Sequence, residues 1–209
     1  MNDGFRFTDE LGPLKIVHIW RPAVGLKAVV AIDNIACGPA VGGVRMALDV
    51  STEEAFRLAR AMTLKNAAAG LPHGGGKSVI FADSKMPASD KERLIRAFAD
   101  AIGDLVDYIP GPDMGTDEMA MGWIKDETGR AVGLPRELGG IPLDVLGATG
   151  FGLVSAIDVA ARHIGMPPFG RTYRNSRLWI SRKARGSLPC QQRRLSGRRQ
   201  RQPRHLDGR

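Results

Sequence analysis

The chain has 209 residues, 43% of them apolar and 25% charged, a composition suited to a buried core in one large or two small domains. No apolar run approaches the ~18 residues of a membrane span, and the first ten residues, MNDGFRFTDE, lack the basic start and apolar core of a signal peptide, so a cytoplasmic address is expected. The net charge of +8 suggests nucleic acid until its distribution is read: 171–209 hold twelve arginines and Lys183 against Asp207 alone, and 1–170 hold 17 basic and 21 acidic residues.

In chain order, residues 26–33 (LKAVVAID) are β-branched and apolar like a buried strand, with 16–20 as its pairing partner. The glycine-rich segment 38–43 then breaks the pattern. Ser51 and Glu54 form a capping box for a helix whose apolar face is Ala55, Phe56, Leu58, Ala59, Met62 and Leu64, and which stops near Gly70 and Pro72. A bend through the glycines delivers Lys77 to a short strand at 78–81. Ser89 and Glu92 repeat the capping box for a helix reaching about Leu105, with Leu94, Ile95, Phe98, Ala101 and Ile102 inward. A strand at 107–110 runs into the turn Pro112, Asp113, Met114, Gly115 and a helix over 116–127. A glycine- and proline-rich loop covers 131–147, and a long helix spans 148–164. This alternation predicts a three-layer α/β domain, a small mixed sheet with helices on both faces, over 1–165, followed by a poorly structured basic tail over 166–209.

The stretch 62–77, MTLKNAAAGLPHGGGK, carries two lysines and a triple glycine. It is not a P-loop: that motif needs a glycine six residues before the lysine, where Leu71 stands, and a strand before and helix after rather than the reverse. Lys65 falls late on a helix, but its neighbours Met62, Leu64, Ala67 and Ala68 argue against a simple solvated face. Two lysines brought together lower each other's pKa, and burial adds to the effect, so one serves as a neutral base while the other holds an anion. Asp113 is either an ordinary turn aspartate or the third member of that group. Together the three suit proton transfer on a carboxylate-bearing substrate. The cysteines, Cys37 and Cys190, and four scattered histidines give no metal-ligand spacing.

GPAVGGVRM at 38–46, MTLKNAAAGLPHGGGK at 62–77, PGPDMGT at 110–116 and LGGIPLDVLGATGFG at 138–152 together resemble the glutamate, leucine, phenylalanine and valine dehydrogenase family. The resemblance implies an N-terminal substrate-binding and oligomerisation domain, a homo-oligomer, and NAD- or NADP-dependent oxidative deamination of an L-amino acid to a 2-oxo acid and ammonia. By position it gives Lys77 the role of catalytic lysine and Asp113 that of proton-exchanging aspartate. Lys65 becomes the substrate carboxylate's partner, Gly42 and Gly43 the glycines lining the pocket, and Thr149 a residue near the nicotinamide. Glutamate-specific members tend to carry a lysine where this chain has Val41, and an apolar residue leaves a side-chain carboxylate unpaired at a cost. The substrate expected is therefore a branched or apolar amino acid, with glutamate as the alternative.

The resemblance also implies a Rossmann domain after about residue 165, yet 166–209 contain no GxGxxG or GxGxxA turn. The tail is read as the product of a frameshift or of mistaken gene reading that truncates the chain before its cofactor domain, which would leave it inactive alone. The alternatives are a non-catalytic subunit acting through oligomerisation and an arginine-rich arm binding nucleic-acid phosphates. The arm is disfavoured because only Tyr173 and Trp179, near its start, are available to stack on bases.

Overall fold

The computed structural model describes residues 5–141 and 143–165, in two compact units that meet in sequence at 142/143. The expectations for 166–209, including the basic arm, lie outside the described residues. No described helix is long and apolar enough to cross a membrane.

The first unit holds a five-stranded sheet: β1 (Lys15–Arg21), β2 (Leu26–Asn34), β3 (Ala40–Ala47), β4 (Gly74–Phe81) and β5 (Tyr108–Pro112), in the order β1-β2-β4-β3-β5. β1 and β2, and β2 and β4, pair antiparallel, while β3 runs parallel to both β4 and β5. Helix α1 (Thr52–Ala68) packs on one face through Ala55 and Ala59 against Val29, Ala31 and Val79. Helices α2 (Ala88–Ala101) and α3 (Glu118–Thr128) close the other face. There Leu94, Ile95, Phe98, Met121 and Ile124 meet Val30, Ile32, Val44 and Ile80. Each such aliphatic or aromatic side chain contributes about 1.5–3 kcal/mol by leaving water. The expected three-layer mixed α/β architecture is the one observed.

Several local expectations need correction. The glycine-rich segment 38–43 does not interrupt the pattern; Gly42 and Gly43 lie inside β3. The triple glycine is likewise no bend but the start of β4, and each glycine answers a different contact. A Cβ on Gly74 would stand 1.6 Å from the Asn34 carbonyl oxygen, and one on Gly76 2.8 Å from the Tyr108 ring. On Gly75 it would meet the backbone of α1, 2.1 Å from the Thr63 nitrogen. Glycine is required because backbone and ring come where a side chain would start.

Helix α2 has Pro87 at its N-cap with no side-chain cap, so Ser89 lies within the first turn and caps nothing. Ser51 does cap α1, accepting a hydrogen bond from the Glu54 N–H at 3.1 Å. Leu64, counted on the apolar face, is exposed, as are Ala67 and Ala68, because the face of α1 turned to the sheet runs through Ala55, Ala59, Thr63 and Asn66, and Asn66 Nδ2 donates to the Gly74 carbonyl. α3 begins two residues later than expected, with Asp117 as N-cap. In the second unit, a short helix α4 (Leu143–Leu146) precedes α5 (Ala148–His163).

Candidate functional site

Side chains alternate along a strand, so Val41, Gly43 and Arg45 of β3 share a face with Lys77 and Val79 of β4. That is the α1 face, since Val79 packs against α1. Lys77 is only 5% exposed, and its Nζ lies 2.5 Å from Oδ2 of Asp113, just beyond the end of β5. Arg45 Nε donates to the same Oδ2 at 2.9 Å, and Arg45 Nη1 donates to Glu54 Oε1 on α1 at 2.5 Å. The result is a chain of alternating charge, Lys77, Asp113, Arg45, Glu54, anchored on β4, the loop after β5, β3 and α1.

The loop carrying Asp113 is pinned by Thr116. The Asp113 N–H donates to Thr116 Oγ1 at 3.0 Å, and that hydroxyl donates to the Val44 carbonyl at 2.7 Å. Gly115 has φ +83°, and a Cβ there would be 2.1 Å from the Met46 carbonyl oxygen, so the loop can follow this path only with glycine. Gly43 is the opening in the site: a Cβ on it would stand 2.7 Å from the Asp113 Cβ and 3.2 Å from Lys77 Nζ.

Burial pushes the Lys77 ammonium toward its neutral form; Asp113 opposes this, and the charges of Arg45 and Lys65 add to it, so its pKa falls below the ordinary lysine value. Burial pushes the Asp113 carboxyl up, but Lys77 and Arg45 together outweigh burial and hold it below the usual carboxylate range. For Arg45, burial weakens the charge while Asp113 and Glu54 strengthen it, and the net shift is upward. The arrangement keeps an ionised carboxylate beside an amine primed to lose its proton.

Behind the site, on the opposite face of the sheet, the β3–β4 register lapses at Gly42 and Gly43 between Val41↔Gly75 and Val44↔Ser78. There the fully buried Tyr108 donates its hydroxyl to the Gly42 carbonyl at 2.9 Å and accepts from Ser78 Oγ at 2.9 Å. Burial pushes the phenol pKa far above its ordinary value, so it remains a donor.

Lys77, Asp113, Gly43 and Val41 therefore lie on one face or at its rim. Gly42 contributes backbone, since its missing Cβ leaves room for the Gly76 carbonyl oxygen, 1.5 Å from where that Cβ would be. Lys65, expected to be partly shielded, is exposed on α1 yet close enough for its charge to act on Lys77. Thr149 is exposed on α5 in the second unit. Sequence reasoning missed Arg45 and Glu54 as members of the cluster. The available signal was Arg45 two residues after Gly43, on the same face once 40–47 is read as a strand. It also missed buried Asp33, held by Arg60 Nε at 2.8 Å and the Thr63 hydroxyl at 2.6 Å, which ties α1 to β2. Among the described residues no group of three or more His, Cys, Asp or Glu is arranged to hold a metal ion.

A cavity of about 520 Å³ is lined by His18, Trp20, Lys27, Val50 and Phe81, and another of about 480 Å³ by Arg6, Phe7, Glu53 and Phe56. Neither contains a buried charged group. Among the described residues, the starts of α1, α2 and α3 carry carboxylates, Glu53 and Glu54, Asp90, and Asp117 with Glu118. Such carboxylates compete with a pyrophosphate for the positive end of the helix.

Residues 15–130 match the family described as Glu/Leu/Phe/Val dehydrogenase, dimerisation domain. Leucine dehydrogenase of Bacillus subtilis is 39% identical over 166 residues, covering 76% of this chain and 44% of that protein. The NADP(+)-dependent glutamate dehydrogenase of Pyrobaculum calidifontis is 38% identical over 143 residues, covering 62% of this chain and 34% of that protein. Among solved structures, the hetero-hexameric glutamate dehydrogenase from Thermus thermophilus in its Leu bound form superimposes with a TM-score of 0.65 at 32% identity, over 74% of this chain and 42% of that one. The chain spans less than half the length of these relatives. A match running from β1 through α3, and so through every strand and through the Lys77, Arg45 and Asp113 cluster, leads to one conclusion: the chain belongs to the Glu/Leu/Phe/Val dehydrogenase family of amino-acid dehydrogenases.

Proposed function

We propose that the first unit is the substrate half of an amino-acid dehydrogenase site, acting on an L-amino acid with a branched or apolar side chain in oxidative deamination to a 2-oxo acid and ammonia. The observation that carries this reading is the buried Lys77–Asp113 pair on a face left open by Gly43. Lys77, easily deprotonated, serves as the base that activates water for attack on the imine carbon. Asp113, held ionised, takes and returns a proton at the substrate nitrogen. Lys65, exposed on α1 and close enough for its charge to act on Lys77, pairs with the α-carboxylate. Val41, two residues from Gly43 on the same face, offers the side chain an apolar wall.

NAD or NADP supplies a hydride acceptor in this chemistry. The carboxylates in the first turns of α1, α2 and α3 disfavour that group there, so no step is assigned through it and the first unit alone is expected not to turn over. Thr149 remains the candidate for approach to the nicotinamide.

The test is nitrogen NMR of lysine- and glycine-labelled protein titrated with L-leucine and, separately, L-glutamate. Leucine is expected to move the Lys77 Nζ resonance and the backbone of Gly42 and Gly43, glutamate to do so weakly, and Lys77→Met to abolish the response. Equal responses to both would sink the apolar assignment. No response to either, or one that survives Lys77→Met, would sink the site.

Self-association is part of the same reading. β1 is an edge strand, hydrogen-bonded to β2 alone, and carries Trp20, 64% exposed, on the α1 face. An unpaired edge beside an exposed aromatic suits a second copy of the chain. Light scattering should show a dimer or larger that Trp20→Lys weakens; a monomer at high concentration would refute it.

A further inference from the structure

We propose that Arg45 is a positioning residue of this site: by bridging Asp113 and Glu54, its guanidinium sets the direction of the Asp113 carboxylate and shares that carboxylate's charge with Lys77. The inference rests on the reading of Lys77 and Asp113 as the proton-transferring pair.

Three observations carry it. Arg45 is held at both ends, Nε on Asp113 Oδ2 and Nη1 on Glu54 Oε1, with its side chain only 15% exposed. Both cations converge on the same oxygen of Asp113, which commits that oxygen and sets the direction of the carboxylate. Glu54 is the third residue of α1, where a capping-box glutamate would reach back to the N-cap nitrogen. Ser51 keeps its half of that box, but the Glu54 carboxylate is turned to Arg45 instead. A planar guanidinium can join two carboxylates in fixed geometry, whereas an ammonium is a point charge on a flexible stem.

The groups acting on Lys77 are Asp113 from the loop after β5, Arg45 from β3 and Lys65 from α1, with Glu54 of α1 behind Arg45. Arg45 disfavours the protonated form of Lys77 and favours the ionised form of Asp113. An Arg45 whose charge was spent on Glu54 alone would tie α1 to the sheet and affect stability without affecting the titration of Lys77.

The experiment follows the acetylation of Lys77 by acetic anhydride against pH, by peptide mass spectrometry, on the 209-residue protein and on Arg45→Met and Arg45→Lys. Circular dichroism checks that each is folded. In the parent protein the midpoint should lie below the ~10.4 of an ordinary lysine. Arg45→Met should raise it by about one unit, cutting labelling below the midpoint about tenfold, and Arg45→Lys should recover part of that loss. Coincident midpoints in folded parent and Arg45→Met would overturn the inference and leave the dehydrogenase reading standing. An ordinary lysine midpoint in the parent would remove both. If Arg45→Met does not fold, Glu54→Gln decides. Freed of its second anchor, Arg45 competes for Asp113, so the Lys77 midpoint should fall and labelling rise about threefold; an unchanged midpoint would overturn the proposal.

Discussion

Lys77 Nζ and Asp113 Oδ2 stand 2.5 Å apart, one from the middle of β4 and the other from the loop beyond β5, with β3 running between those two strands. Nothing bulkier than Gly43 fits on β3 at that point, so a salt bridge spans a strand that would otherwise separate its partners.

Both members of the pair make stability depend on pH in the same direction. The folded pKa of Asp113 lies below its unfolded value of about 3.9, so its contribution is complete above that value and is lost as pH falls through the folded pKa. The folded pKa of Lys77 is also lowered, so between it and about 10.4 the unfolded chain binds the extra proton and stability rises with pH. Urea denaturation at a series of pH values should show parent and Asp113→Asn converging toward strong acid. A difference constant down to the acid limit would contradict this.

Gly43→Ala should damage the site more than the fold. The new Cβ would lie 2.7 Å from the Asp113 Cβ and 3.2 Å from Lys77 Nζ. An overpacking cost of about 1–3 kcal/mol is expected, with the Lys77–Asp113 pair pushed apart and the acetylation profile of Lys77 changed. A thermal melt together with that profile gives the answer; an unaltered profile would contradict the geometry.

Gly75→Ala should be far worse, because its Cβ would meet backbone, 2.1 Å from the Thr63 nitrogen and 2.3 Å from the Ala59 carbonyl oxygen, and neither is a flexible side-chain end. A loss at or beyond the ~3 kcal/mol upper end of overpacking is expected. Gly129→Ala is the control: with φ +73° and open space around it, backbone strain alone should cost roughly 1–2 kcal/mol. Comparable denaturation midpoints for the two variants would refute the close packing of α1 on β4.

Tyr108→Phe keeps the ring under Gly76 but removes the hydroxyl between Ser78 Oγ and the Gly42 carbonyl. Leaving those buried groups unpaired should cost about 1–3 kcal/mol. Chemical denaturation measures it, and a neutral substitution would mean that the hydroxyl does not hold the lapse in the β3–β4 register.

The alternation of apolar strands and capped helices was legible because each element carries its own signal: the β-branched run of β2, Ser51 at the start of α1, and the spacing of Leu94, Ile95 and Phe98 in α2. β3 and the start of β4 were not. Glycine has low strand propensity in isolation, and the reasons for Gly42, Gly43 and Gly74 to Gly76 lie in neighbours distant in sequence: Asn34, Thr63, Tyr108 and Asp113. The Ser89 and Glu92 spacing misled for the opposite reason, since Pro87 is already the N-cap two residues earlier.

The sequence by itself determined the α/β architecture and the chemical types present, two lysines and an aspartate among them, and by resemblance it nominated the residues proposed for the site. Only the tertiary structure decided which of them are buried and paired. Lys77 lies within the sheet against Asp113 while Lys65 stands exposed on α1, because α1 covers β4 with the face that carries Ala59, Thr63 and Asn66 and turns Lys65 outward. It alone also brought in Arg45 and Glu54, since an ion pair is set by distance across strands and helices, which a linear order of residues does not contain.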